Sequence, residues 1–406
     1  MKKRIIIAMI FILLLVNRVF AAKYVATVDG KSYTSMQTAL NKMKSDQTLT
    51  MLVDINTKST LKVTGNKRIN INFAGNRYQY SGKGKAFEIN GSNVTIRNMK
   101  LQSKNYAFSV NKGAVLTISN GNSKGYIINR GTLVIDGGTY SSTGCIASKK
   151  DELIQNYGKL TINGGKITGI TDNALFCLGG KTEINGGEFR CDAPYDNGYY
   201  YSTVSLRKGA VLTINDGSFK GKGNAVQNTK GKVVINNGFF RSTKSNAISN
   251  DGGNMIINGG KYTAGGKKYY TIYNKNGDLI INYAIIKGIV GNECSEKKEL
   301  RINDGVFTGV NDYPAVANMS GKMIISGGKY STQKHNAVYN DKKGKIYISG
   351  GEFKSTNGYY AIWNVGKAVL SGGKFITKGG NGHSIGCVSG STLTKNGDVE
   401  GIVDYK

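Results

Sequence analysis

Basic side chains recur at matching places along this chain. They flank an aromatic or aliphatic residue in a repeated unit: Lys166, Arg190, Lys220, Arg241, Lys261, Lys287, Lys329, Lys354 and Lys374. A row of ammonium and guanidinium groups repels itself, and a linear polyanion laid along it relieves that repulsion. Glu188 and Glu352 interrupt the row. A second set of residues is aromatic. Phe176, Tyr273, Tyr339 and Trp363 each precede the same polar or thiol position of the unit, and Tyr199, Tyr200, Tyr201, Tyr269, Tyr270, Tyr359 and Tyr360 crowd the segments just upstream. Rings held on a rigid scaffold are stacking platforms for sugars or bases. A solvated basic face and the ordinary β-propensity of tyrosine explain the same patterns, and the sequence leaves both explanations open.

Catalytic chemistry is harder to place. Glycoside hydrolysis needs two carboxylates roughly 5–9 Å apart. The acids here are scattered: Glu188 and Glu352 share one position of the unit, as do Asp216 and Asp304, but each pair is several units apart. His335 and His383 are about two units apart and read as loop histidines. Calcium wants six to eight oxygen ligands, which so few acids do not supply. No motif calls for a metal or cofactor, and no nucleic-acid-reading motif is present.

The elements that must position these residues follow from a repeat. The pattern hydrophobic–x–Ile–x–Gly–Gly–x–aromatic returns thirteen times, about every 22 residues. Met255-Ile256-Ile257-Asn258-Gly259-Gly260-Lys261-Tyr262 is a clear copy, and the units at Leu160, Met323 and Ile346 match it. One such unit cannot bury its apolar face alone, so the units must stack. Within each unit the period is two, which is that of strands. Three inward files result: the isoleucines, the residues such as Phe189, Phe219 and Phe240 that follow the glycine turn, and a file of asparagines. The asparagine file is read as Asn90, Asn111, Asn129, Asn156, Asn228, Asn250, Asn274, Asn318, Asn340 and Asn364. Stacked asparagines bond their amides to the copies above and below.

The expected fold is therefore all-β: a right-handed, single-stranded parallel β-helix of about thirteen turns, roughly 60 Å long. A short amphipathic helix precedes it. Ser35 caps that helix, and Met36, Ala39, Leu40 and Met43 share one face. The expected divisions are a signal peptide at 1–21, an N-terminal cap at 22–48 and the repeats at 49–406.

Three of the five cysteines, Cys177, Cys294 and Cys387, fall by spacing in the asparagine file. They are too many turns apart to pair, since a disulfide needs Cα atoms within roughly 7 Å. Cys145 and Cys191 lie off the file about two turns apart, and their pairing is left open. Lys2, Lys3 and Arg4 ahead of an apolar run ending at Val16 read as a secretory signal, cut after Ala21. No cysteine stands directly after the run, and no second apolar stretch reads as a membrane span. The formal net charge is +30, and the leader contributes little of it. Such an excess favours polyanionic partners.

The repeat length, glycine turn and asparagine file resemble the right-handed parallel β-helix superfamily, the pectate-lyase-like proteins. The segment from Val25 to Leu40 also looks like the lead-in of bacterial surface proteins that continue into such repeats. The resemblance implies polysaccharide cleavage, but the superfamily's Asn-Thr-Asp, Asp-Asp, Gly-His-Gly and Arg-Ile-Lys strings are absent, as are its pectate-lyase boxes. The expectation is a non-catalytic secreted or cell-surface protein, adhesin-like, binding an acidic glycan or wall polymer. The candidate contacts are the nine basic residues above with Tyr273, Tyr339 and Trp363. A lyase working on a uronate polymer through lysine and arginine alone stays open. So does a rod that self-associates through Val234, Ile256, Ile280, Ile324, Tyr347 and Val369.

Overall fold

A computed structural model describes residues 24–145, 152–196, 198–265, 269–310, 312–380 and 382–406. The signal peptide expected at 1–21 lies outside them. The chain winds into a parallel β-solenoid of the right-handed type. Each turn contributes a strand to three parallel ladders, named here by what they bury: an isoleucine, an aromatic and an asparagine sheet. The start differs. Ala26–Val28 pairs antiparallel with Lys31–Tyr33 and with Thr48–Met51. The helix Met36–Lys42 follows, with the Ser35 hydroxyl accepting the Thr38 N–H at 3.3 Å. Its face of Met36, Ala39 and Leu40 is buried, and it packs on Ala26–Val28 and Leu61–Val63.

The isoleucine ladder runs from Thr48–Met51 to Thr392–Glu400 and holds sixteen strands. The expected thirteen turns therefore fall short of the number the chain makes. Several early turns bend without a glycine pair. The turn after Arg68–Asn72 passes through Ala74 and Gly75 at φ 48° and 80°, and the next through Asn98 at φ 53°. Left-handed backbone is what those bends need; Gly75 and Asn98 adopt it readily, and Ala74 does so against its Cβ. Where the glycine pair does occur, its second member sits near φ +100°, as at Gly260. A Cβ there would also stand 2.9 Å from the Gly238 carbonyl oxygen one turn below.

The core is a column of repeated side chains. Phe189, Phe219, Phe240 and Tyr262 stack with centroids 4.8 to 4.9 Å apart. Phe307, Tyr330, Phe353 and Phe375 stack again at 4.6 to 4.9 Å. Those distances match the spacing of neighbouring strands, about 4.8 Å. Where the file holds tyrosine, the hydroxyl finds a partner in the turn: Tyr140, Tyr262 and Tyr330 donate to the carbonyls of Gly137, Gly259 and Gly327. A buried phenol without such an acceptor would be costly.

The asparagine file is real, with two corrections. Asn228 donates to Asn250, Asn250 to Asn274, and Asn274 to Asn292, at 2.8 to 3.0 Å. Asn340 donates to Asn364 at 2.7 Å. Asn292 holds the register that spacing assigned to Cys294. The bend from Asn292 to Leu300 carries extra residues, so counting back from Ile302 lands two places late. Cys294 instead lies beside the file, 3.1 Å from the Asn274 amide nitrogen. At the other end, Asn129 pairs with Val110, which pairs with Ile89. Asn90 and Asn111 are thus one residue past the file, bonded to each other. Cys177 and Cys387 do sit in it, beside Asn156 and Asn364. All five cysteines are free thiols.

A second asparagine ladder runs along the outside, at the turn. Asn303, Asn282, Asn258, Asn236, Asn215 and Asn185 each donate to the copy one turn earlier, at 2.7 to 2.8 Å. Asn163 ends the chain on the Asp136 carboxylate at 2.7 Å. The amides all point the same way, and the anion accepts the last proton, which suits their aligned dipoles.

Candidate functional site

The nine basic candidates lie on one outer surface, that of the aromatic sheet, but in two files. Residues before and after each inward ring both face outward and are two positions apart along the strand. Lys166, Lys261, Lys329 and Lys374 precede the inward ring or isoleucine; Arg190, Lys220, Arg241, Lys287 and Lys354 follow it. The expected single row is therefore corrected. In the preceding file, Lys329, Glu352, Lys374 and Glu400 alternate in sign on successive strands. Lys374 and Glu400 are 3.0 Å apart, and the bond to Glu400 holds the Lys374 ammonium above its usual range. That file is largely self-neutralised.

The following file is different at one place. Arg190, Lys220 and Arg241 are in register on three consecutive strands. With Lys222 they surround a hollow of about 310 Å³. Asp192 also lines it, and its carboxylate is 2.6 Å from Arg190. The Lys220 ammonium lies 5.5 Å from the centre of the Phe239 ring, which holds its stem down on the sheet. Thr263 follows Arg241 and ends the run. Farther along, Lys287 and Lys354 are isolated by Thr308 and Ser331.

The aromatic candidates share one register on the outer face of the asparagine sheet. Phe176, Tyr273, Tyr339 and Trp363 all occupy it. Tyr339 and Trp363 are neighbours, while Gly291 and Ala317 separate them from Tyr273. The rings lie down rather than stand. A Cβ on Gly386 would meet the Trp363 ring at 2.4 Å, and one on Gly291 would meet Tyr270 at 2.3 Å. Tyr270 and Tyr273 stack at 4.9 Å. The Tyr273, Tyr339 and Tyr360 hydroxyls donate to Glu293, Asp341 and Asp404. Burial first, and then the carboxylate, raises each of these phenols above its ordinary pKa. Between the two ring groups the small Ala317 floors a slot of about 350 Å³, walled by Tyr270, Pro314, Tyr339 and His335. His335 stacks on Tyr359 at 6.1 Å, and burial lowers its pKa, favouring the neutral imidazole.

The residues that spacing missed stand at the other end of this face. A cleft of about 590 Å³ opens beside Phe176. One wall is a hairpin that leaves the solenoid, Tyr195–Asp196 paired with Tyr199–Tyr200. The Tyr195 and Tyr200 rings are 4.8 Å apart and tilted. Glu152 and Asp172 both line the cleft and are both buried. They come from adjacent turns, since the Leu153 N–H donates to the Asn173 carbonyl. The signal was available: each acid lies just before an asparagine-sheet strand, at Ile154 and Leu175. Arg207 also lines it, with its guanidinium 5.4 Å from the Phe176 ring centre. Lys244, from the bend between the aromatic and asparagine sheets, completes the charged lining.

The outward apolar stripe has the expected register from Val234 to Val369, interrupted by Arg301. Glu299 holds Arg301 and Lys322, each at 3.0 Å. Burial would raise the Glu299 carboxyl, but those two cations bring it below its ordinary value. Among the described residues no group of three or more histidine, cysteine or acidic side chains is placed to hold a metal ion. No helix there is long and apolar enough to cross a membrane. No protein-family model matches the chain, and no curated protein or solved structure matches it.

Proposed function

We propose that this protein is a non-catalytic β-helix, secreted or held at a cell surface, that binds an acidic polysaccharide. The carrying observation is the in-register run of Arg190, Lys220 and Arg241 around a hollow that Lys222 also lines. Strands about 4.8 Å apart set guanidinium and ammonium groups well within one Debye length, about 8 Å. The field there favours an anion, and arginine's planar fork suits carboxylate or sulfate groups. The helix Met36–Lys42 serves as the N-terminal cap, and the fold belongs with the pectate-lyase-like β-helices. The leader supports export.

The test is binding of polygalacturonate, alginate and heparin at low and high salt. Affinity for at least one is expected to fall steeply with salt. The triple variant Arg190→Glu, Lys220→Glu, Arg241→Glu should abolish it. Lys261→Glu with Lys329→Glu, in the self-neutralised file, should weaken it far less. Absence of binding to all three polymers at low salt would sink the proposal. Release of unsaturated uronides from any of them would replace it with a lyase.

A further inference from the structure

We infer that the cleft beside Phe176 is a second, independent site that takes an uncharged saccharide. Its volume, about 590 Å³, falls within the roughly 300–1,000 Å³ of small-molecule sites. Its charges balance: Glu152 and Asp172 stand against Arg207 and Lys244. The lining is therefore unlike the basic hollow, and it offers a polyanion no net attraction. What it offers is two kinds of surface together.

One is aromatic. Tyr195 is more than half exposed, at 58%, and with Tyr200 it forms the ring wall of the hairpin. Phe176 lies on the sheet opposite. The other surface is polar and fixed. Asn173 accepts the Ser202 N–H at 2.8 Å through its side-chain oxygen. The Ser202 hydroxyl donates to Gln227 at 2.9 Å. These groups are held by bonds of their own before a ligand arrives, so little ordering is lost on binding. A sugar ring presents an apolar C–H face to a tyrosine and a rim of hydroxyls to amides and carboxylates. A chain of charged residues lacks that match, and an apolar peptide side chain would bury the polar part of the lining without returning a hydrogen bond to it.

The site also lies where the repeat is broken. Between Glu188–Cys191 and Val204–Leu206 the chain leaves the solenoid to make the hairpin. The next two turns return to short bends. The two hairpin strands pair only with each other, outside the three ladders, and their rings border the cleft.

The experiment is calorimetric titration of the full chain with cellotetraose, chitotetraose and maltotetraose. Binding of at least one is expected, unchanged between low and high salt. Ser205→Phe puts a ring into the cleft from an outward sheet position where Phe176 already stands one turn below. Tyr200→Ala removes part of the hairpin wall. Each should weaken binding roughly tenfold or more, about 1.4 kcal/mol. Unfolding midpoints close to the parent's confirm that the solenoid is intact in both. The triple reversal at Arg190, Lys220 and Arg241 should leave this binding unchanged, which separates it from polyanion binding. The inference is overturned if none of the three tetrasaccharides binds, or if binding survives both cleft substitutions.

Discussion

Lys166 stands in register beside Glu188 on the adjacent strand, and Arg190 stands beside Thr168. Two residues that look equivalent by spacing thus belong to different files with different electrostatics. Opposite charges directly across a ladder stabilise it, and like charges destabilise it.

The alternating file Lys329, Glu352, Lys374, Glu400 should therefore be sensitive to sign. Glu352→Lys is expected to lower stability at low salt, and the deficit should shrink as salt screens it. Urea unfolding at two ionic strengths checks this. An equal deficit in both would mean the file's charges do not interact.

Phe240 lies between Phe219 and Tyr262, fully buried. Phe240→Ala should destabilise by about 3–5 kcal/mol, since the rigid stack cannot close on the cavity. Tyr262→Phe removes only the bond to the Gly259 carbonyl, and about 1 kcal/mol is expected. Denaturant unfolding distinguishes the two.

Asn250 is fully buried, and its amide donates to Asn274 and to the Gly253 carbonyl. Asn250→Leu leaves those acceptors and the Asn228 amide short of a partner, at about 1–3 kcal/mol for each orphaned group. Hydrogen exchange should show the loss centred on the turns through Asn228, Asn250 and Asn274. A loss spread evenly over the rod would contradict it.

Burial pushes the Cys177 and Cys191 thiols up to about 12, from 9.0. Cys145, less buried, is pushed up to about 11. Above pH 9 the unfolded chain loses these protons while the folded chain keeps them, so stability should fall as pH rises from about 9 toward 12. Alanine at Cys177 and Cys191 should flatten that fall. At pH 8 iodoacetamide should label the native protein slowly, Cys145 first, and the unfolded chain at once.

The period of two and the recurring glycine turn were enough to predict a stacked all-β rod, because each is a local constraint repeated many times. Phe219, Phe240 and Tyr262 fall in one file whatever the loop lengths, since each follows its own turn by a fixed count. Counting fails wherever a bend changes length. Spacing therefore places Cys294 in the file instead of Asn292, and the turns that bend at Ala74 and Asn98 lack the glycine pair that marks the repeat.

The sequence by itself determined the strand period, the inward files and the surplus of positive charge. Only the tertiary structure decided which outward residues are neighbours. A shift of two residues along a strand separates Lys166 from Arg190 although both face outward. Glu152 and Asp172 meet in one cleft only because their turns stack. Contacts between turns depend on register, and register is set jointly by every bend length before it. No single repeat encodes it.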